Sequence, residues 1–195
     1  MKDKIIIGID LAGKETNPTG ITIWRNKRVE TCLVYKNSEI LKILLHVKPT
    51  IVAIDAPLSL PKNGILRKAD RALIKKGYHV FPPGLRAMKT LTLRASELNK
   101  LITEMGIKAI EVHPTSTRKA LKMPAKDWKA IQAIFRRLGV EGIPEDHTLT
   151  PHEIDAITAA LTAHLHMLGL TEAVGDCEEG FIIVPKKANW REIEI

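Results

Sequence analysis

Aromatic side chains are scarce in this chain: three Phe, two Tyr and three Trp, 4% of 195 residues. They form no stripe interleaved with basic residues, which argues against a base-stacking platform for single strands. Cysteine is rarer. Cys32 and Cys177 stand far apart and in no metal spacing, so a disulfide framework and a Cys/His zinc site are both unsupported, and free thiols in a reducing cytoplasm are expected. No apolar run approaches the length of a membrane span. The N-terminal residues lead straight into a strand pattern with no signal-peptide arrangement. No GxxxxGKS/T loop is present to cradle phosphates, and neither Ser59 nor Ser116 sits in a nucleophile elbow. Internal repeats and low-complexity tracts are absent as well.

What is present is a hydrophobic fraction of 45%, enough for a real core in one domain, or one domain with an insertion. Lysine and arginine number 30 against 22 acids, for a formal charge of +8. That balance suits an anionic partner such as nucleic acid, held through its phosphates, although a well-solvated surface gives the same excess.

Two hydrophobic runs each deliver an aspartate to their end. Ile5-Ile6-Ile7-Gly8-Ile9 precedes Asp10, and Ile51-Val52-Ala53-Ile54 precedes Asp55. Continuous, β-branched runs of this kind read as strands buried on both faces. A carboxylate there is costly to desolvate without a cation or hydrogen-bond donors, and two from adjacent strands can hold a hard divalent cation. Each has an alternative as a helix cap or an acceptor of loop amides.

Between these runs the pattern predicts a meander: a first strand over 4–11, a second over 19–24, a turn at 25–28 and a third over 29–35. Ser38 is the expected N-cap of a helix stopped by Lys48-Pro49, so that the strand over 51–54 returns parallel to the first. Helices follow over 67–76, about 88–105 and 128–138, with a strand over 107–112 between the last two. Phe81-Pro82-Pro83-Gly84 reads as a rigid break. Thr150-Pro151-His152-Glu153 has the form of a capped helix start, and 181–184 makes a last strand. Residues 1–195 form one domain on this reading, with a helical insertion at about 62–106.

Asp155 lies one turn into the capped helix, with His152 at i−3. The small residues Ala156, Ala159, Ala160 and Ala163 allow that helix to approach a sheet closely. Glu111, in the run Ala109-Ile110-Glu111-Val112-His113, needs a partner if buried, either a shared cation or a structural base. His113 is read as orienting Glu111, acting as a base, or simply supporting the site. Asp70 is expected to pair with an arginine of its own helix. Lys14, Arg67, Arg71 and Arg94 are the candidate phosphate contacts, each with solvated surface as the alternative.

The order of elements is similar to the ribonuclease H-like α/β fold: three antiparallel strands, a crossover, then parallel strands flanked by helices. More closely, the chain resembles the family catalogued as domain of unknown function 429, described as predicted nucleases of that fold. The matching segments are Gly8-Ile9-Asp10-Leu11-Ala12-Gly13, Ala53-Ile54-Asp55-Ala56-Pro57, Arg67 with Ala69-Asp70, Phe81-Pro82-Pro83, Glu111-Val112-His113-Pro114 and His152-Glu153-Ile154-Asp155-Ala156. They span nearly the whole chain.

The resemblance implies a nuclease hydrolysing DNA or RNA with Mg²⁺ or Mn²⁺. Asp10, Asp55 and Asp155 would be metal ligands, and Glu111 a fourth catalytic acid, around two cations bridged by Asp10. His113 and His152 would support them. A non-catalytic nucleic-acid or nucleotide binding protein of the same fold is the alternative. An ATP-using enzyme of the actin and sugar-kinase type is disfavoured because Asp10-Leu11-Ala12-Gly13 lacks the usual threonine. A non-enzymatic assembly subunit is left open, as is the oligomeric state.

Overall fold

The computed structural model describes residues 4–195. Ile5–Asp10 forms β1, and Thr19–Arg25 (β2) and Arg28–Val34 (β3) fold back on it as an antiparallel meander. The strands Ile51–Asp55 (β4), Lys108–Val112 (β5), Thr171–Asp176 (β6) and Gly180–Pro185 (β7) complete a seven-stranded sheet of order β3-β2-β1-β4-β5-β7-β6. Strands β1, β4, β5 and β7 run parallel, and β6 closes the far edge antiparallel to β7.

Side chains alternate between the two faces of these strands. Ile7, Ile9, Val52 and Ile54 face one layer, where they pack on Asn37–Val47 (α1) and Arg86–Glu104 (α3) through Ile40, Leu44, Ala95 and Leu98. Ile6, Ile51, Ala53, Ile110 and Val112 face the other, against Trp128–Arg137 (α5) and the long helix α6, Pro151–Met167. The remaining helices are Lys68–Lys75 (α2) and Pro114–Ala120 (α4). Helix α2 lays Ala69 and Leu73 on Val174, Ile182 and Val184 of the β6–β7 hairpin. The stretch at about 62–106 therefore holds α2 together with α3, the crossover between parallel β4 and β5. No helix of the described residues is long and apolar enough to cross a membrane.

Three local expectations change. Helix α1 starts after Lys36 rather than Ser38, because the Glu39 carboxylate reaches back to accept from the amides of Tyr35 (3.0 Å) and Lys36 (2.8 Å). Helix α4 and strand β6 were not expected. The first buries Ser116, Thr117 and Arg118 instead of an apolar stripe, and the second is a polar edge strand.

Helix α6 rests on the sheet more closely than ordinary side chains permit. A Cβ on Gly8 would stand 2.1 Å from the Ala156 carbonyl oxygen and 2.6 Å from the Ala160 amide nitrogen. One on Gly20 would stand 2.1 Å from the His152 carbonyl oxygen. These obstacles are backbone atoms, which cannot swing aside. Gly8→Ala is therefore expected to lower stability by about 3 kcal/mol or more through forced displacement of α6, read as a fall in the urea midpoint. A loss below 1 kcal/mol would show that the helix yields freely.

Candidate functional site

Asp10 and Asp55 are directly paired across β1 and β4. Their parity along the strands places them on the same face as Gly8 and Ala53, the face that carries α6. The Thr150 hydroxyl and the Glu153 carboxylate form a reciprocal capping box that fixes where α6 begins. The glycines then let the first turns of α6 drop onto the strand ends. As a result, oxygens of Asp10, Asp55 and Asp155 all lie within 4.8 Å of one another. His152, one turn before Asp155, donates from Nδ1 to Asp10 Oδ2 at 2.7 Å.

Crowding three acids in a part-buried place shifts their chemistry. Burial pushes the Asp10 carboxyl up from 3.8 to about 6, against the hydrogen bond from His152 that pulls it down, and the charge of Asp155 adds to the rise. Asp55 stands well above the usual carboxylate range, first through burial and then through the charges of Asp10 and Asp155. A cluster that resists ionisation and offers only carboxylate oxygens suits a hard divalent cation. Oxygens around one Mg²⁺ at about 2.1 Å stand no more than about 4.2 Å apart, so modest side-chain rotation brings this set to that spacing.

Arg118 was not among the residues singled out in the sequence. It projects from α4, is 1% exposed, and donates from Nη1 to Asp155 Oδ1. Its Nε donates to the Ala125 carbonyl at 3.1 Å, and its guanidinium lies 5.4 Å from the Trp128 ring centre. Pro114 at the first helical position was the available signal that a helix would carry it inward.

Glu111 does not join the three aspartates. It is paired with Ile54 across β4 and β5, and alternation puts it on the opposite face of the sheet. Both its oxygens are committed: Oε1 accepts from Arg67 Nη2 at 2.6 Å, while Oε2 accepts from Arg67 Nη1 and from the Leu58 amide, each at 2.8 Å. Arg67 is thereby corrected from a phosphate contact to a buried structural cation, 1% exposed, which also binds Asp70 at 2.9 Å. Arg94 is corrected likewise. Its three nitrogens donate to Asn37 Oδ1 and to the carbonyls of Ala12 and Tyr35, tying the loop after β1 to the start of α1. Lys14 and Arg71 are exposed. His113 is bonded to Ser116 Oγ, not to Glu111, and burial lowers it to about 4, with Arg118 adding to the fall, so it is neutral at pH 7.

A cleft of about 300 Å³ opens at the carboxyl ends of the parallel strands, lined by Asp10, Asp55, His113, Thr115, Phe81 and Met88 among others. Ligands of open α/β sheets bind in this position. A larger hollow of about 470 Å³ beside Lys108, His166 and Phe181 is lined by none of the three aspartates.

The model of a family described as "Protein of unknown function (DUF429)" matches residues 8–111. No curated protein matches the chain. Among solved structures, the chain is similar to T. thermophilus RuvC in complex with Holliday junction substrate, at a TM-score of 0.54 and 15% identity, over 85% of this chain and 96% of that one. It is also similar to a second Thermus thermophilus RuvC structure, at 0.53 and 17%, over 85% and 96%. The fold is thus the ribonuclease H-like α/β fold, with antiparallel strands followed by parallel ones.

Proposed function

The chain belongs to the DUF429 family, and from that premise we propose that it is a metal-dependent nuclease that hydrolyses phosphodiester bonds in DNA or RNA. The observation that carries this reading is the convergence of Asp10, Asp55 and Asp155 at the strand ends of a ribonuclease H-like sheet. These three would hold Mg²⁺ or Mn²⁺, which when bound supplies an activated water and stabilises the leaving oxygen. His152 orients the Asp10 carboxylate, and its half-exposed ring faces solvent beside the reacting region. The positive chain, with Lys14 and Arg71 exposed and uncommitted to buried pairs, supports a nucleic-acid strand as the partner. Two exposed, unpaired cysteines fit a reducing cytoplasmic setting.

The test is cleavage of labelled four-way junction, duplex and single-stranded DNA, and of RNA, in Mg²⁺ or Mn²⁺. At least one substrate is expected to be cut, and Asp10→Asn should lower the rate by more than about 100-fold without abolishing binding. Binding to all of them with no cutting of any would favour the non-catalytic alternative.

A further inference from the structure

We propose that the Arg118 guanidinium is a built-in cation of the acidic site, so that the site takes one divalent cation and not two. This rests on the metal-dependent reading above and deepens it.

Arg118 is not a surface side chain that happens to reach an acid. It is 1% exposed and held on several sides: by the Ala125 carbonyl, by Asp155, by the Trp128 ring, and at 3.4 Å by Thr158 Oγ1. Withdrawing it would leave a guanidinium unpaired in a dry place, which is costly. Its charge is therefore a fixed part of the acidic cluster, held against Asp155. Three ionised aspartates beside one guanidinium leave two uncompensated negative charges, the complement of a single Mg²⁺ or Mn²⁺.

Ligand supply leads to the same number. Paired cations stand about 3.5–4 Å apart and need acids on both sides. Asp155 is the acid that α6 contributes, and Arg118 occupies its Oδ1. Glu111 lies on the other face with both oxygens bonded. Asp55, in contrast, stands opposite Asp10 with a carboxylate oxygen within 4.8 Å of the other two acids. The open ligand positions thus lie on the Asp10–Asp55 side, and the guanidinium stands where a second cation would balance Asp155.

Counting bound Mn²⁺ by calorimetry and electron paramagnetic resonance, at low ionic strength and without nucleic acid, tests this directly. The wild type should bind one Mn²⁺ per chain. Arg118→Gln, confirmed folded by circular dichroism, should bind a second ion, or bind the first about tenfold or more tightly, because a nearby positive charge has been removed. Arg118→Lys keeps the charge and should keep the count of one. Two Mn²⁺ of comparable affinity on the wild type would overturn the proposal while leaving the nuclease reading intact. So would a folded Arg118→Gln with unchanged count and affinity. If Arg118→Gln does not fold, the wild-type count decides. No Mn²⁺ binding by the wild type would overturn the metal reading itself, and this proposal with it.

Discussion

Asp55→Asn is expected to raise the melting temperature of the metal-free protein at pH 7 while removing its response to Mn²⁺. Asp10 and Asp55 face each other across neighbouring strands with Asp155 above them, and burial holds the first two carboxyls above 3.8. Between 3.8 and about 6 the Asp10 carboxyl of the folded chain retains a proton that the unfolded chain has released. Stability therefore falls as pH rises through that window, and the cost from Asp10 is largely present at pH 7. Replacing Asp55 takes a buried acid out of the cluster and relieves Asp10 and Asp155 of a like-charged neighbour. A rise of roughly 3–6 °C in metal-free buffer is expected, for a gain on the order of 1–2 kcal/mol. The gain should shrink as pH is lowered toward 4, where the wild-type carboxyls are protonated.

Metal reverses the comparison. Mn²⁺ at about 100 times its Kd stabilises a binding-competent fold by about 2.7 kcal/mol, so the wild type should gain several degrees and the variant none. Differential scanning fluorimetry with EDTA or Mn²⁺ measures both effects. A lower melting temperature for Asp55→Asn in EDTA would mean that the carboxylate is satisfied by the fold and is not held at a cost for a ligand.

Much of this arrangement was legible in the chain. The parallel pairing of β1 and β4 follows from two unbroken β-branched runs around one crossover, and it fixes Asp10 beside Asp55. The approach of α6 was readable in its capping box and its alanines, although the matching gaps at Gly8 and Gly20 show only in three dimensions. What escaped has physical reasons. Thr171–Asp176 lacks apolar alternation because it is an edge strand, held by β7 and α2 and not by a core of its own. Helix α4 has no hydrophobic period because it buries Ser116, Thr117 and Arg118 through hydrogen bonds and charge. Sequence periodicity registers apolar burial and is blind to that kind. The same blindness misassigned Arg67 and Arg94: an arginine is read as exposed until its partners, distant in sequence, are known. Glu111 failed on parity. The run Ala109–Val112 marks a buried strand without saying which face the glutamate takes, and its register with β4 turns it to the opposite face of the sheet, where it borders the same cleft but is held by Arg67.

Arg67→Met should be among the most damaging single changes away from the aspartates, lowering stability by about 3–5 kcal/mol and the melting temperature by roughly 6–20 °C. Methionine fills similar space, so the loss is electrostatic. It would leave Glu111 and Asp70, 6% and 1% exposed, with no cation between them. Adding Glu111→Gln should recover part of the loss, because the amide oxygen can still accept from the Leu58 amide while the stranded charge is gone. That bond extends the consequence to the site. Leu58 follows Asp55 by three residues, so the chain of contacts from Arg67 through Glu111 to Leu58 fixes the loop that leaves β4 just after Asp55. Mn²⁺ affinity should therefore fall by about 10–100-fold in Arg67→Met even though Arg67 is no ligand. Denaturant melts and Mn²⁺ titrations on the single and double variants separate the two effects. If Arg67→Met instead keeps its stability within about 1 kcal/mol and only weakens the salt dependence of nucleic-acid binding, the residue is a phosphate contact after all and the buried network is not what holds that loop.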